Sequence, residues 1–122
     1  MMLEEDSLLK YQVLISDEVF KQLENIKDYI SNVKLSPQSA EKVIDTILND
    51  LESLSLFPER GFLVSERIGR ELSKMKQDNR IARGLVVGSK KYLALYSIDH
   101  EAKVVRVPIL VSSHTDWINL FF

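Results

Sequence analysis

RIARGLVVGSKKYLALYSIDHEAKVVRVPILV, residues 80–111, holds three runs rich in β-branched and aromatic side chains, separated by two polar connections. Arg80–Val87, Tyr92–Ile98 and Val104–Val111 read as strands, with Gly88-Ser89 and Asp99–Lys103 as the turns between them. Strands joined by connections this short form an antiparallel meander. Pro108 interrupts the third run. Proline has no N–H to give to a ladder, so this strand is expected either to bulge there or to turn that side to an edge.

Upstream, Tyr11–Ile15 (YQVLI) is a further short strand, with Tyr11, Val13 and Ile15 on one face. Ser16 or Asp17 can cap a helix whose apolar residues Val19, Leu23, Ile26, Ile30 and Val33 recur at steps of three or four. Ser36-Pro37 restarts a helix, a cap residue followed by proline at the first helical position. Its stripe runs through Ala40, Val43, Ile44, Ile47, Leu48, Leu51 and Leu54 and stops before Pro58, because Phe57 is biased away from helical ψ by the proline after it. Two amphipathic helices a few residues apart form an antiparallel hairpin. A short helix from Ser65, marked by Ile68, Leu72 and Met75, is expected before the meander. The order is β-α-α-β-β-β: an α+β fold with the helical hairpin packed on a mostly antiparallel sheet. Residues 11–122 form one domain behind an extension of residues 1–10, and the apolar tail Trp117–Phe122 must pack somewhere.

The chain has 122 residues, enough for a core without staples, and its 45% hydrophobic and 28% charged content is ordinary for a globular domain. It has no cysteine, which excludes disulfides, thiolate metal sites and thiol nucleophiles. No apolar run reaches the length of a membrane span, and the acidic first ten residues do not read as a signal peptide, so a cytoplasmic location is expected. Residues 1–58 carry 5 basic and 11 acidic side chains, whereas residues 59–91 carry 9 and 4. That concentrated basic segment, with Arg60, Arg67 and Arg70, offers a local patch to an acidic partner rather than a coat for nucleic acid. The acidic residues of the first helix converge with no histidine, and the four glycines form no phosphate-cradling run, so neither a metal site nor a cofactor is expected.

Four stretches resemble one known family in the right order. Tyr11-Gln12-Val13 leading into Val19–Ile30 is similar to the opening strand and first helix of the ParE/RelE toxin superfamily. Leu54–Gly61 (LSLFPERG) resembles its junction after the second helix, Tyr92–Asp99 (YLALYSID) its central strand, and Val107–Trp117 its last strand and the residues just beyond that strand. The long hairpin and the FPERG junction favour the ParE branch. The resemblance implies the toxin of a bacterial type II toxin–antitoxin system, growth-inhibiting when free and silenced by a cognate antitoxin. ParE-type members act on DNA gyrase by trapping it, and RelE-type members cut mRNA in the ribosome. The alternatives it leaves are such an endoribonuclease or a degenerate, inactive toxin.

Metal-free RNA cleavage needs a base, an acid and cations for the phosphate. Arg80, Arg83 and Arg106 are the candidate cations and His114 the candidate acid or base, if the chain is a nuclease. Aligned on Asp116-Trp117, however, Ile109 and Ser112 stand where the family often has arginine and histidine. This departure weighs against cleavage. The plainer reading pairs Arg80 and Arg83 with antitoxin carboxylates or with Asp78 and Glu71, and leaves His100 solvated in its turn. Arg60, Phe62, Arg67, Arg70, Trp117, Phe121 and Phe122 are the residues expected to meet the antitoxin or target.

Overall fold

The computed structural model describes residues 10–68 and 83–118. Residues 1–9 of the expected extension, and Leu72 and Met75 of the expected short helix, lie outside the described residues. Strand β1 (Gln12–Ile15) leads into helix α1 (Asp17–Asp28), a π-helical turn (Tyr29–Val33), helix α2 (Pro37–Glu52) and a 3-10 turn (Ser53–Ser55). Beyond them come β2 (Phe62–Leu63), α3 (Val64–Ile68), β3 (Arg83–Val87), β4 (Tyr92–Asp99) and β5 (Val104–Ser112). The described strands form one sheet in the order β1-β5-β4-β3-β2, antiparallel except for the β1–β5 pair. The α+β fold expected from the sequence is the one observed, with a two-residue strand, β2, that no sequence pattern announces.

Pro108 sits in a bulge. Leu95 pairs with Ile109 and Ser97 with Arg106, so Tyr96 alone spans Val107 and Pro108 on β5. Strand β5 lies between β1 and β4, so the proline is accommodated by the bulge and not by an edge. The extra residue also inverts the alternation of side chains along β5. Val105 and Val107 before the bulge and Leu110 after it join the core under the helices. Ile109 and Val111 point the other way, onto a smaller cluster with Val64, Leu93, Leu95, Phe62 and Trp117. Both faces of the sheet are therefore apolar, one covered by the hairpin and one by the β2–α3 segment and Trp117.

Ser16, not Asp17, is the cap of α1: its hydroxyl accepts from the Val19 amide at 3.2 Å. The same hydroxyl donates to the Pro108 carbonyl at 3.0 Å, fastening the helix start to the bulge. The α1 stripe buries Val19 and Leu23 and packs Ile26 against the core. Val33, expected on that stripe, is instead 63% exposed. The π-helical turn from Tyr29 adds residues per turn and rotates Val33 off the face that a continuous α-helix would have given it. In α2, Ala40, Ile47 and Leu51 are buried, with Leu54 just beyond, as the periodicity requires. Pro37 opens this helix, but the Ser36 hydroxyl bonds to that of Ser39 instead of capping a backbone amide.

Ser16→Ala removes both a helix cap and the partner of the Pro108 carbonyl, and is expected to destabilise the protein by about 1–2 kcal/mol in urea unfolding. Ser16→Thr, which keeps the hydroxyl, should recover most of that loss.

Candidate interaction site

The two stretches LSLFPERG and YLALYSID touch. Tyr96, fully buried in β4, sends its hydroxyl to the loop after α2, donating to the Pro58 carbonyl at 2.7 Å and accepting from the Gly61 amide at 3.0 Å. Arg83 holds the same loop, its Nη1 donating to the Glu59 carbonyl at 3.0 Å and the Gly61 carbonyl at 2.8 Å. The Arg60 guanidinium donates to the Ser53 hydroxyl, which donates in turn to the Asp50 carbonyl. A Cβ on Gly61 would stand 2.4 Å from the Gly84 carbonyl oxygen and 2.6 Å from the Tyr96 hydroxyl, so only glycine fits this approach. Burial raises the Tyr96 phenol above its ordinary 10.0, against the opposing pull of the Gly61 amide and of Arg83 and Arg60.

From this fixed loop, side chains leave in two directions. Phe62 lays its ring against Gly84, where a Cβ would come within 2.4 Å of the ring. The Arg67 guanidinium lies 4.1 Å from the Phe62 ring centroid, and the Trp117 ring lies 5.6 Å away at a 50° tilt. Three of the residues expected to meet a partner are thus gathered on the sheet face away from the hairpin. Arginine, phenylalanine and tryptophan in contact are of the type that anchors protein interfaces.

Arg60, a fourth, faces the hairpin side, bonded to Ser53. It lines an open cleft of about 780 Å3 with Tyr11, Phe57, Pro58, Glu59 and His100. His100 bridges two walls of this cleft, Nδ1 lying 2.8 Å from the Tyr11 hydroxyl and Nε2 lying 3.4 Å from Glu59 Oε1. It is exposed, as expected of a turn residue, but it is not simply solvated. The signal was out of reach in the sequence, because Tyr11 and His100 are 89 residues apart. Arg70, Phe121 and Phe122 lie outside the described residues.

Among the described residues, the nuclease candidates Arg83, Arg106 and His114 do not come together. Arg83 shares the hairpin-side face of β3 with Leu85 and Val87, and its bonds go to backbone carbonyls. Arg106 lies between the core residues Val105 and Val107 and so points to the opposite face. His114 comes after Ser112, which pairs with Tyr92, four residues along β4 from Tyr96, or roughly 13 Å at ~3.3 Å per residue. It is exposed, and its amide donates to the Ser112 hydroxyl at 3.3 Å. Arg80 lies outside the described residues. Among the described residues no three histidine, cysteine or acidic side chains gather as a metal site, and no helix is long and apolar enough to cross a membrane.

Against this geometry, the sequence model of the ParE toxin of the type II toxin–antitoxin system parDE matches residues 13–115. The chain belongs to the ParE toxin family. No individual curated protein matches it. Membership makes it a type II toxin, with a cognate antitoxin as its implied partner. Both meeting stretches fall within the matched span, whereas Tyr11, the outer wall of the cleft, lies before it.

Tyr96→Phe leaves the Gly61 amide and the Pro58 carbonyl without their partner, and is expected to cost about 1–3 kcal/mol in denaturant unfolding. Because the phenol is raised in the folded state, the stability it confers is intact below pH 10.0 and is lost as pH rises through the folded value. Tyr96→Phe should therefore flatten the alkaline fall in melting temperature relative to the parent.

Proposed function

We propose that this ParE-family toxin arrests growth in the bacterial cytoplasm by binding DNA gyrase, without chemistry of its own. In this reading the antitoxin silences it by covering the face of Phe62, Arg67 and Trp117. The observation that carries the reading is the separation of Arg83, Arg106 and His114. Metal-free cleavage of RNA requires its base, its acid and its phosphate-binding cations around one phosphate. Here one arginine is occupied with loop carbonyls on the hairpin side, one points to the other face, and the histidine stands beyond the far end of the strand. Membership of the ParE family, rather than of its RNA-cutting relatives, supports the same conclusion. The stacked Arg67, Phe62 and Trp117 support a binding role, since such side chains contribute most of the energy of interfaces.

The test is a gyrase supercoiling assay with purified, antitoxin-free protein, beside a ribosome-dependent mRNA cleavage assay. Loss of supercoiling or accumulation of cleaved DNA, with mRNA intact, is the expected result. Cut mRNA with gyrase unaffected would overturn the proposal. His114→Ala should keep full growth arrest on induction, because the histidine has no part in the binding mode. A variant that folds and no longer arrests growth would return His114 to the active machinery.

A further inference from the structure

The cleft on the hairpin side lies across the sheet from the Phe62–Trp117 cluster. Its walls come from three places that folding brings together: Tyr11 at the entry to β1, Phe57–Arg60 after α2, and His100 in the β4–β5 turn. Its volume, about 780 Å3, lies within the range of small-molecule sites. Phe57 is 64% exposed, and next to polar groups it offers a flat apolar surface to water. Tyr11 provides a second aromatic wall, and Pro58 adds apolar surface between them and the charged side. Aromatic walls of this kind accept planar rings, and nucleobases stack on them irrespective of sequence.

The polar groups narrow the choice of ring. Glu59 is held toward His100, and an ionised carboxylate only accepts hydrogen bonds. His100 lies between the other two, Nε2 3.4 Å from Glu59 Oε1 and Nδ1 2.8 Å from the Tyr11 hydroxyl, so the three side chains meet along one wall of the cleft. A carboxylate with an oxygen to spare matches an edge that presents two adjacent donors. Guanine does so through N1–H and the N2 amino group. Adenine and cytosine set a ring acceptor beside their amino group, and uracil sets carbonyls on both sides of its one donor, so each would turn a lone pair toward Glu59. Arg60, steadied by Ser53, supplies the planar fork that recognises phosphate.

We propose that the cleft formed by Tyr11, Phe57, Pro58, Glu59, Arg60 and His100 binds a guanine nucleotide, the base against Phe57 and Tyr11 with its donor edge on Glu59 and the phosphate toward Arg60. The shared chemistry is a guanine base carrying a phosphate, whether as a free nucleotide or as an unpaired guanine in a single strand.

The experiment is an NMR titration of the full antitoxin-free chain with 5′-GMP, AMP, UMP and inorganic phosphate, and with an oligouridylate carrying a single guanine. The expected result is saturable binding of GMP that moves the ring resonances of Tyr11, Phe57 and His100, with AMP and UMP at least ~10-fold weaker, a difference of about 1.4 kcal/mol. Glu59→Gln should erase the preference for GMP over AMP, and Phe57→Ala, whose side chain is exposed, should weaken both alike without lowering the melting temperature. Tighter binding of the oligonucleotide than of GMP would assign the ligand to a strand, and the reverse would assign it to the free nucleotide. No saturation with GMP, equal response to phosphate alone, or a Glu59→Gln protein that folds and keeps its preference would each overturn the proposal. None of these readouts involves gyrase, so its failure and that of the gyrase reading are separable.

Discussion

The missing N–H of Pro108 is the constraint on which the arrangement of the sheet depends. A proline inside a strand flanked on both sides cannot complete the ladder, and the bulge opposite Tyr96 is the way the chain absorbs it. The consequence extends along β5, because one added residue exchanges the faces of everything after it. Had β5 run through in register, Ile109 and Val111 would crowd the hairpin and Leu110 would face away. With the bulge, the hairpin side receives Val105, Val107 and Leu110, and the far side receives Ile109 and Val111. The Pro108 carbonyl, left over by the disrupted ladder, finds its donor in Ser16, the residue that also starts α1. Helix position and strand register are therefore set at the same point.

Tyr96 sits opposite that point and carries the constraint outward. Its ring belongs to the core and its hydroxyl to the loop, so the position of Pro58–Gly61 is set by the packing of β4. Tyr96 and Arg83 between them satisfy the carbonyls of Pro58, Glu59 and Gly61 and the amide of Gly61, leaving the loop little freedom to hinge. The loop's outward side chains are then fixed on both sides of the sheet, Phe57, Glu59 and Arg60 toward the cleft and Phe62 toward Arg67 and Trp117. Two surfaces with different chemistry hang on one short, glycine-pinned segment.

Much of this was legible in the sequence, and the parts that were not share a physical cause. Because these signals are local, period-two and period-3.6 patterns announced β1, β4, β5 and both long helices, and the proline announced either a bulge or an edge, of which the fold took the bulge. Val33 departs from its expected face because a π-helical turn leaves the apolar pattern intact while changing the angle between its members. The two residues of β2 carry no period at all; they are a strand only because Gly84 and Arg83 lie beside them. The bridging role of His100 and the attachment of Arg83 to carbonyls depend on partners 89 and 22–24 residues distant, and nothing in residue type foretells such pairings. The gathering of Phe62, Arg67 and Trp117 lay between these cases. Their identities marked them as candidates for an interface, but only the fold shows them in contact.

The role of Arg83 bears on how toxicity is to be read from substitutions. An arginine on a strand of a toxin invites a chemical interpretation, and its replacement would be expected to abolish such an activity. The same loss arises from structure alone. Without its guanidinium the carbonyls of Glu59 and Gly61 lose their donors, the loop loosens, and both Phe62 and the cleft residues lose their bearings. An inactive Arg83 variant is then silent about mechanism. Arg106 and His114 are more informative, because they are exposed and no loop hangs on their side chains. A nuclease would need at least one of them, whereas a toxin that works through its surface near Phe62 would tolerate the loss of both.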